Sequence, residues 1–282
     1  MKPSEVLFVA GDGENLASIR IRCREVAQRL GCDCHYGATS AEDIPGGYKA
    51  YFCVKPYLDR KLMERLQRKG FVIWDILDDS PPTEGVDLYI ASTRNAAKYF
   101  KHLGQVEVIP HYHCNFENVP VGEGTLRAAY VGSVHWYPSL QGVDHDCHFV
   151  DRCSRTQVAD AYRRTGIAIN HRNMGPVDDK FMTSTRHVKP NPELHVRLNS
   201  GIKLINCLGF GIPSVSPPEP AYLEVASYCT IVSDISSCSA AVDRLAADHS
   251  LYATLRQRCL QMAPEFHVEV VIGKYRALLE RL

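Results

Sequence analysis

Short apolar runs alternate with amphipathic stretches along the first part of the chain. The apolar runs predict buried strands, and the amphipathic stretches, with apolar residues every three or four positions, predict helices. The strands are EVLFVAG (5–11), KAYFCVK (49–55), FVIWDIL (71–77), DLYIAS (87–92) and VEVIPHY (106–112), and the helices are ASIRIRCREVAQRLG (17–31), LDRKLMERLQRKG (58–70) and RNAAKYFKHLG (94–104). This order indicates parallel β-α-β units.

A polar segment containing Gly and Pro, NFENVPVGEGT (115–125), interrupts the alternation and predicts a linker. The alternation then restarts with RAAYVGS (127–133), CHFVD (147–151), RTQVADAYRRTG (155–166), IAINHR (167–172), IPSVS (212–216) and CTIVSD (229–234). A helical pattern runs from about Ser237 to Leu282, and Pro264 divides it into two predicted helices. The predicted fold class is therefore α/β, with two Rossmann-like doubly wound domains.

The predicted boundaries are 1–118 for the first domain, 119–126 for the linker, 127–264 for the second domain and 265–282 for a last helix. Two doubly wound domains bind ligands at the carboxyl ends of their strands, which predicts a cleft between them. Residues 173–199 carry three prolines and no sustained periodicity, and we expect them to form a loop over that cleft.

Composition changes this picture in one place. The chain has 32 basic and 32 acidic residues, so no overall field points to nucleic acid or to a membrane. Residues 152–203, however, hold ten Lys and Arg against four Asp and Glu. No apolar run approaches the roughly 18–20 residues that span a bilayer, and no signal-peptide pattern is present. Eleven cysteines without a Cys-x-x-Cys pair indicate reduced thiols, and the expected location is the cytoplasm.

The turn after the first strand, GDGENL (11–16), opens a helix and suits the approach of a phosphate or sugar to backbone amides. Leu16 replaces the third glycine of a dinucleotide fingerprint, which disfavours a dehydrogenase. Arg20 and Arg22 follow in the helix. They either face an anion or form a solvated or salt-bridged surface, and a simple tight turn remains the alternative for Gly11 and Gly13.

Carboxylates and histidines supply further candidates. Asp75, Asp78 and Asp79 lie at the end of a predicted strand, where they could act as a base, hold a metal, or cap a turn before Pro81. The clusters PHYHC (110–114) and DHDCH (144–148) lack the paired spacing of structural zinc sites. Polar loop positions are the default for these histidines, and a base in the cleft is the alternative.

The segment SGIKLINCLGFGIPSVS (200–216) places a lysine at the start of a helix that ends in Gly-x-Pro before a short strand. With EPAYLEV (219–225) it resembles the donor-binding signature of GT-B glycosyltransferases. ASIRIRCREVAQRLG, VIWDILDD, VEVIPHY and AAYVGS occur in the same order in that family, so the resemblance spans most of the chain. It implies an N-terminal acceptor-side domain, a C-terminal nucleotide-sugar domain, and a last helix that returns to the first domain.

The resemblance also implies roles for single residues. Lys203 corresponds to the lysine that starts the donor helix, and Asn206 stands where the family usually has a ribose-binding glutamate. A second glutamate is replaced near Leu198, and His135 and Trp136 stand where a basic residue is common. The implied donor-binding set is Gly11, Gly13, Gly132, Ser133, Arg172, Lys189, Arg197, Ser200, Lys203, Leu204 and Asn206. The candidate catalytic bases are Asp12, Glu14, Asp78 and His111.

The expected activity is transfer of a sugar, most simply a hexose from a UDP-sugar, to an acceptor hydroxyl. Cationic side chains would stabilise the leaving diphosphate, so a divalent metal is optional and no further cofactor is required. A hydroxymethylated base in DNA is one acceptor, and its binding would be salt-sensitive. The alternatives are a nucleotide-sugar epimerase of the same fold and an inactive nucleotide-sugar-binding protein. Stereochemistry and oligomeric state are left open.

Overall fold

The computed structural model describes residues 1–11, 17–37, 42–56, 60–77, 81–122, 126–138, 140, 142–172 and 196–282. The described chain forms two compact units. Unit 1 contains Met1–His111, the short stretch 196–200 and Val271–Leu282. Unit 2 contains residues 112–172 and Gly201–Val270.

Unit 1 is built on a six-stranded parallel sheet in the order β2-β1-β3-β4-β5-β6. Its strands are β1 (Val6–Ala10), β2 (Asp33–Tyr36), β3 (Ala50–Val54), β4 (Phe71–Ile76), β5 (Leu88–Ala91) and β6 (Val106–Val108). The residues of β1, β3 and β5 are all buried, as expected for parallel strands covered on both faces.

Three helices follow the strands of unit 1. α1 consists of Ala17–Ile19, a π-helical turn Arg20–Arg24, and Glu25–Leu30. α2 is Arg60–Lys69 and α3 is Arg94–Phe100. α1 ends at Gly31, whose φ of 75° is the left-handed conformation that glycine adopts without a steric cost. The Thr93 hydroxyl caps α3 by accepting a hydrogen bond from the Ala96 amide at 3.1 Å.

Unit 2 contains a five-stranded parallel sheet in the order β11-β10-β9-β7-β8. Its strands are β7 (Ala128–Gly132), β8 (Asp146–Phe149), β9 (Ile167–Ile169), β10 (Ser214–Ser216) and β11 (Thr230–Ile231). Its helices are α4 (Arg155–Arg163), α5 (Ile202–Phe210), α6 (Pro220–Leu223), α7 (Ser236–Ala247) and α8 (His249–Met262). With two such parallel sheets, the predicted fold class is confirmed.

The C-terminal part of the chain holds three α-helices where the sequence predicted two. α7 ends at Ala247, and α8 begins one residue after Asp248, whose carboxylate accepts a hydrogen bond from the Leu251 amide at 2.8 Å. This capping bond starts a new helix, so the helical region is interrupted at Asp248. It is interrupted again at the 3₁₀ turn Ala263–Phe266, which contains Pro264.

The last helix, α9 (Val268–Arg281), belongs to unit 1 from Val271 onwards. The Tyr275 ring lies 5.7 Å from the Phe52 ring of β3 and 5.6 Å from the Arg22 guanidinium carbon. The N-terminal amine of Met1 donates a hydrogen bond to the Leu279 carbonyl. This segment therefore completes the core of unit 1.

Among the described residues, no helix is both long enough and apolar enough to cross a membrane.

Candidate functional site

The strand order of unit 2 reverses next to β7. From β7 the chain adds β8 on one side of that strand, and it then adds β9, β10 and β11 on the other side. The connections after β7 and β9 therefore leave the sheet in opposite directions, and open α/β sheets bind their ligands at this switch point, outside the carboxyl ends of the strands. Gly132 ends β7, Arg172 follows β9, and Glu219 follows β10.

Helix α5 begins in the connection between β9 and β10. Its N-cap is Gly201, with φ of 68°, a residue that has no side chain with which to cap the first turn. The amides of a first helical turn have no partners within the helix, and they carry the positive end of the helix dipole. Gly211, with φ of 67°, ends the helix just before β10. This glycine-bounded helix is the element that the sequence predicted from the segment 200–216.

Lys203 lies in the first turn of α5 and directs its ammonium into the protein. Its Nζ is fully enclosed and has no hydrogen-bond partner among the described residues. It lies 4.0 Å from the centre of the Tyr130 ring of β7, so the ring face is in cation–π contact with it. Burial, followed by the positive charge of Arg172, lowers the pKa of Lys203 to about 7.

Gly132 makes room for this ammonium. A Cβ atom at position 132 would lie 2.7 Å from Lys203 Nζ and 2.7 Å from the Tyr130 hydroxyl oxygen, distances that real Cβ atoms do not adopt. The Tyr130 hydroxyl in turn donates to the Ser133 carbonyl at 2.9 Å. Residues 130–133 and Lys203 therefore form one packed group, which brings three of the predicted donor-binding residues together.

Arg172 and Glu219 form an ion pair beside Lys203. Arg172 Nη2 lies 2.7 Å and Nε 3.3 Å from the two carboxylate oxygens, and both side chains are less than a tenth exposed. The neighbouring His171 is buried, and within the described part of the chain its Nε2 has no hydrogen-bond partner. Burial lowers the pKa of His171, so the imidazole is neutral near pH 7. The group thus combines a fixed guanidinium with an ammonium that lacks acceptors.

Asn206 and Leu204 face other parts of unit 2. The Asn206 carbonyl oxygen accepts a hydrogen bond from the Cys114 amide at 2.9 Å, and Leu204 is completely buried in the apolar core. The same side of α5 is held by Asn115, whose amide donates to the Gly209 carbonyl at 2.7 Å. The oxygen of the residue that stands in place of the family's glutamate is therefore engaged by the chain's own backbone.

Several predicted site residues belong to unit 1. The Gly11 amide donates to the Lys55 carbonyl at 3.2 Å, and His111 is buried. The Arg197 guanidinium stacks 5.2 Å from the Tyr99 ring centre, and Ser200 is buried in the same unit. Asp12, Gly13, Glu14, Asp78 and Lys189 lie outside the described residues, as does most of the predicted loop, residues 173–195.

Arg22 and Asp75 form a buried ion pair in unit 1. Arg22 Nε and Nη2 donate to the two Asp75 oxygens at 2.7 and 2.8 Å. Arg22 Nη1 donates to the carbonyls of Ile109 and Pro110 at 2.8 and 3.1 Å. Of the two alternatives for Arg22, the salt-bridged one is confirmed, and Asp75 is its partner.

The histidine clusters do not form a metal centre in the described part of the chain, where no group of three or more His, Cys, Asp or Glu side chains is arranged to hold an ion. His113 is fully buried against Gly209, and its ring lies 5.6 Å from that of His267. His145 Nε2 is hydrogen-bonded to the Tyr137 hydroxyl at 2.7 Å.

Three members of the group around Lys203, namely Tyr130, His171 and Glu219, were not among the predicted site residues. Tyr130 lies inside an apolar run and appears there as a core residue. His171 lies near the end of the predicted strand 167–172, and Glu219 lies three residues after the predicted strand 212–216. A search for polar residues around the carboxyl ends of all strands could have found them.

No protein-family model and no curated protein matches the sequence. Among solved structures, the chain resembles HepE from Anabaena in complex with UDP and glucose, at 11% identity over 99% of this chain and 100% of that chain, with a TM-score of 0.55. HepE in complex with UDP-glucose gives 11% identity over 98% and 99% of the two chains and a TM-score of 0.56.

The N-terminal domain of trehalose-6-phosphate phosphatase from Candida albicans is also similar, with 8% identity over 96% of this chain and 88% of that chain and a TM-score of 0.54. At such low identities these likenesses establish the fold. They confirm the two-domain α/β architecture that the GT-B resemblance implied.

Proposed function

We propose that the protein is a glycosyltransferase that takes a hexose from a nucleotide diphosphate sugar, with UDP as the leaving group. The observation that carries this proposal is the enclosed ammonium of Lys203 at the switch point of unit 2, which has three donors and no acceptor among the residues that the structure describes. A pyrophosphate supplies the missing acceptors. The HepE structures, which share the fold, contain UDP with glucose and UDP-glucose, and they support this class of donor.

The first turn of α5 contributes to the same anion site. Its backbone amides follow Gly201, which has no side chain to cap them, and a helix N-terminus stabilises phosphate oxygens. Arg172 is already held by Glu219, so it contributes a fixed positive charge rather than a movable clamp. As the glycosidic bond breaks, negative charge develops on the diphosphate, and these groups stabilise it.

The acceptor hydroxyl must lose its proton during transfer, and this step needs a base. Asp12, Glu14, Asp78 and His111 remain the candidates, and they fall in the part of the chain proposed to receive the acceptor. A hydroxymethylated base in DNA stays a prediction for the acceptor. Binding of duplex DNA that weakens steeply with salt would support it, and salt-independent or undetectable binding would contradict it.

Calorimetric titration with UDP, UDP-glucose and other nucleotide sugars tests the proposal. The Lys203→Met variant should lose roughly 1.5–3 kcal/mol of binding free energy, the scale of a hydrogen bond to a charged group. This loss corresponds to an increase in Kd of about 10- to 150-fold. Lys274→Met, at an exposed position of α9, is the matched control and should bind as the wild type does. If no nucleoside diphosphate or nucleotide sugar binds, the proposal is wrong.

The hydrogen bond between Asn206 and the Cys114 amide favours a second candidate, a protein that binds the nucleotide sugar without transferring it. The oxygen of Asn206 is engaged, and its uncharged amide gives a weaker ribose contact than a glutamate would. Mass spectrometry of UDP-glucose incubated with a panel of acceptors separates the candidates. Transfer or slow hydrolysis indicates the enzyme, an isomeric sugar indicates an epimerase, and unchanged donor in the presence of binding indicates the binding protein.

A further inference from the structure

We propose that binding of the sugar-nucleotide pyrophosphate is coupled to the uptake of one proton by Lys203. In the free protein near neutral pH, a large share of the Lys203 side chains carry an uncharged amine. The incoming anion completes the ion pair and drives protonation. This inference rests on the proposed function, because it assigns a protonation step to the same site.

The first argument is the enclosure of the amine. No described residue offers Nζ a hydrogen-bond acceptor, and an enclosed ammonium without acceptors loses the hydration that stabilises its charge in water. Cation–π attraction to the Tyr130 ring face, whose centre lies 4.0 Å from Nζ, offsets part of this lost hydration free energy. Gly132 packs so closely that a Cβ there would lie 2.7 Å from Nζ. The amine therefore lies in a closely packed environment that offers the face of an aromatic ring.

The second argument concerns the charges around the amine. From the end of β9, the Arg172 guanidinium opposes a second positive charge, and the neutral His171 adds none. From the end of β10, Glu219 favours the ammonium, but both of its oxygens already pair with Arg172. From α5 itself, Cys207 is a thiol whose pKa is raised by burial, so it is uncharged. Taken together, these charges do not compensate for the lack of hydrogen-bond acceptors around the Lys203 ammonium.

The direction of the pKa shift agrees with this geometry. Burial lowers the pKa of Lys203 to about 7 in the free protein. A pyrophosphate within hydrogen-bond distance of Nζ favours the charged form and raises the pKa again. A pKa that is higher in the complex means that protons are taken up between the two values, and that affinity falls as the pH rises above 7.

His171 is the competing proton acceptor. It is buried, its Nε2 has no hydrogen-bond partner, and it titrates in the same direction when an anion arrives. Tyr130 is excluded because burial raises its pKa, and the phenol keeps its proton at neutral pH. Substitution of Lys203 and, separately, of His171 therefore shows which of these two residues takes up the proton.

The test is calorimetry with UDP-glucose, whose two phosphates are both esterified and carry no group that titrates near pH 7. Titrations at one pH in buffers of different ionisation enthalpy give the number of protons taken up. The wild type should take up about half a proton at pH 7 and nearly a full proton at pH 8.5, with Kd rising towards tenfold per pH unit above 7.

Two substitutions of Lys203 and one of His171 assign the proton. Lys203→Met should bind more weakly and take up none. Lys203→Arg, whose guanidinium stays charged, should also take up none, and it covers the case in which Lys203→Met binds too weakly to titrate. His171→Gln should keep the wild-type uptake.

Binding without proton uptake in the wild type overturns this inference and leaves the proposed function intact. Uptake that persists in Lys203→Met and disappears in His171→Gln also overturns it. If no sugar nucleotide binds, the proposed function and the proton uptake are both wrong.

Discussion

Removing the carboxylate of Asp75 should be among the most destabilising single changes in unit 1. The Asp75 side chain is completely buried and accepts two hydrogen bonds from Arg22, at 2.7 and 2.8 Å. In Asp75→Ala, the Arg22 guanidinium loses both carboxylate oxygens and keeps the carbonyls of Ile109 and Pro110 as acceptors. A buried charge that loses its partner costs about 3–5 kcal/mol, which is a large part of the 5–15 kcal/mol that typically stabilises a domain.

Two further variants separate the orphaned charge from lost packing. Asp75→Asn keeps the size and one acceptor oxygen, and it should cost roughly 1.5–3 kcal/mol, the worth of a hydrogen bond to a charged group. The double variant Arg22→Met with Asp75→Leu removes both charges and fills the space. Its stability should lie within about 1 kcal/mol of the wild type or exceed it, as replacements of buried ion pairs by apolar side chains often do.

The assay is urea denaturation followed by tryptophan fluorescence. Trp74 lies next to Asp75 in β4, and in a Trp136→Phe background it is the chain's single tryptophan, so its signal reports on unit 1. A cost below about 1 kcal/mol for Asp75→Ala would refute the argument from desolvation. A double variant as unstable as Asp75→Ala would show that packing, rather than the unpaired guanidinium, sets the cost.

Three other predictions concern unit 2. Lys203 binds fewer protons in the folded than in the unfolded chain between pH 7 and about 10, so the free energy of unfolding without ligand should rise with pH from 7 to 9. In urea melts at several pH values, Lys203→Met should flatten this rise. The same variant should stabilise the protein at pH 7 by at most on the order of 4 kcal/mol. Gly132→Ala places a Cβ 2.7 Å from Lys203 Nζ and from the Tyr130 hydroxyl, so the affinity for UDP-glucose measured by calorimetry should fall at least about tenfold. Unchanged affinity would exclude the proposed anion site at Lys203. Asp248→Ala removes the acceptor of the Leu251 amide and should cost about 1 kcal/mol in thermal melts, whereas Asp248→Asn should cost less.

The sequence predicted the parts of the fold that depend on local pattern. The strands VLFVA, AYFCV and AAYVG were recognisable because strands buried on both faces are continuously apolar. The edge strand β2, with the sequence DCHY, was missed because it is half-exposed and polar. The helix break at Asp248 was missed because the residues around it continue a helical pattern.

The site was predictable only in part, for a related reason. Lys203 could be placed at the start of a helix from its own neighbours. Its enclosure depends on Tyr130 and Gly132, which are about 70 positions earlier in the chain and carry no signal of that contact. In the same way, the choice between an anion ligand and a salt bridge for Arg22 depended on Asp75, which lies 53 residues away.

The assignment of Val271–Leu282 to unit 1 has a consequence for synthesis on the ribosome. All six strands of that unit are translated by residue 108, yet Tyr275, which packs on Phe52 and lies over Arg22, emerges more than 160 residues later. Until Tyr275 is synthesised, part of the apolar surface of the nascent unit 1 sheet stays uncovered and available to chaperones. Unit 2 is translated in the interval, so it can mature before unit 1 although its residues follow those of the first sheet.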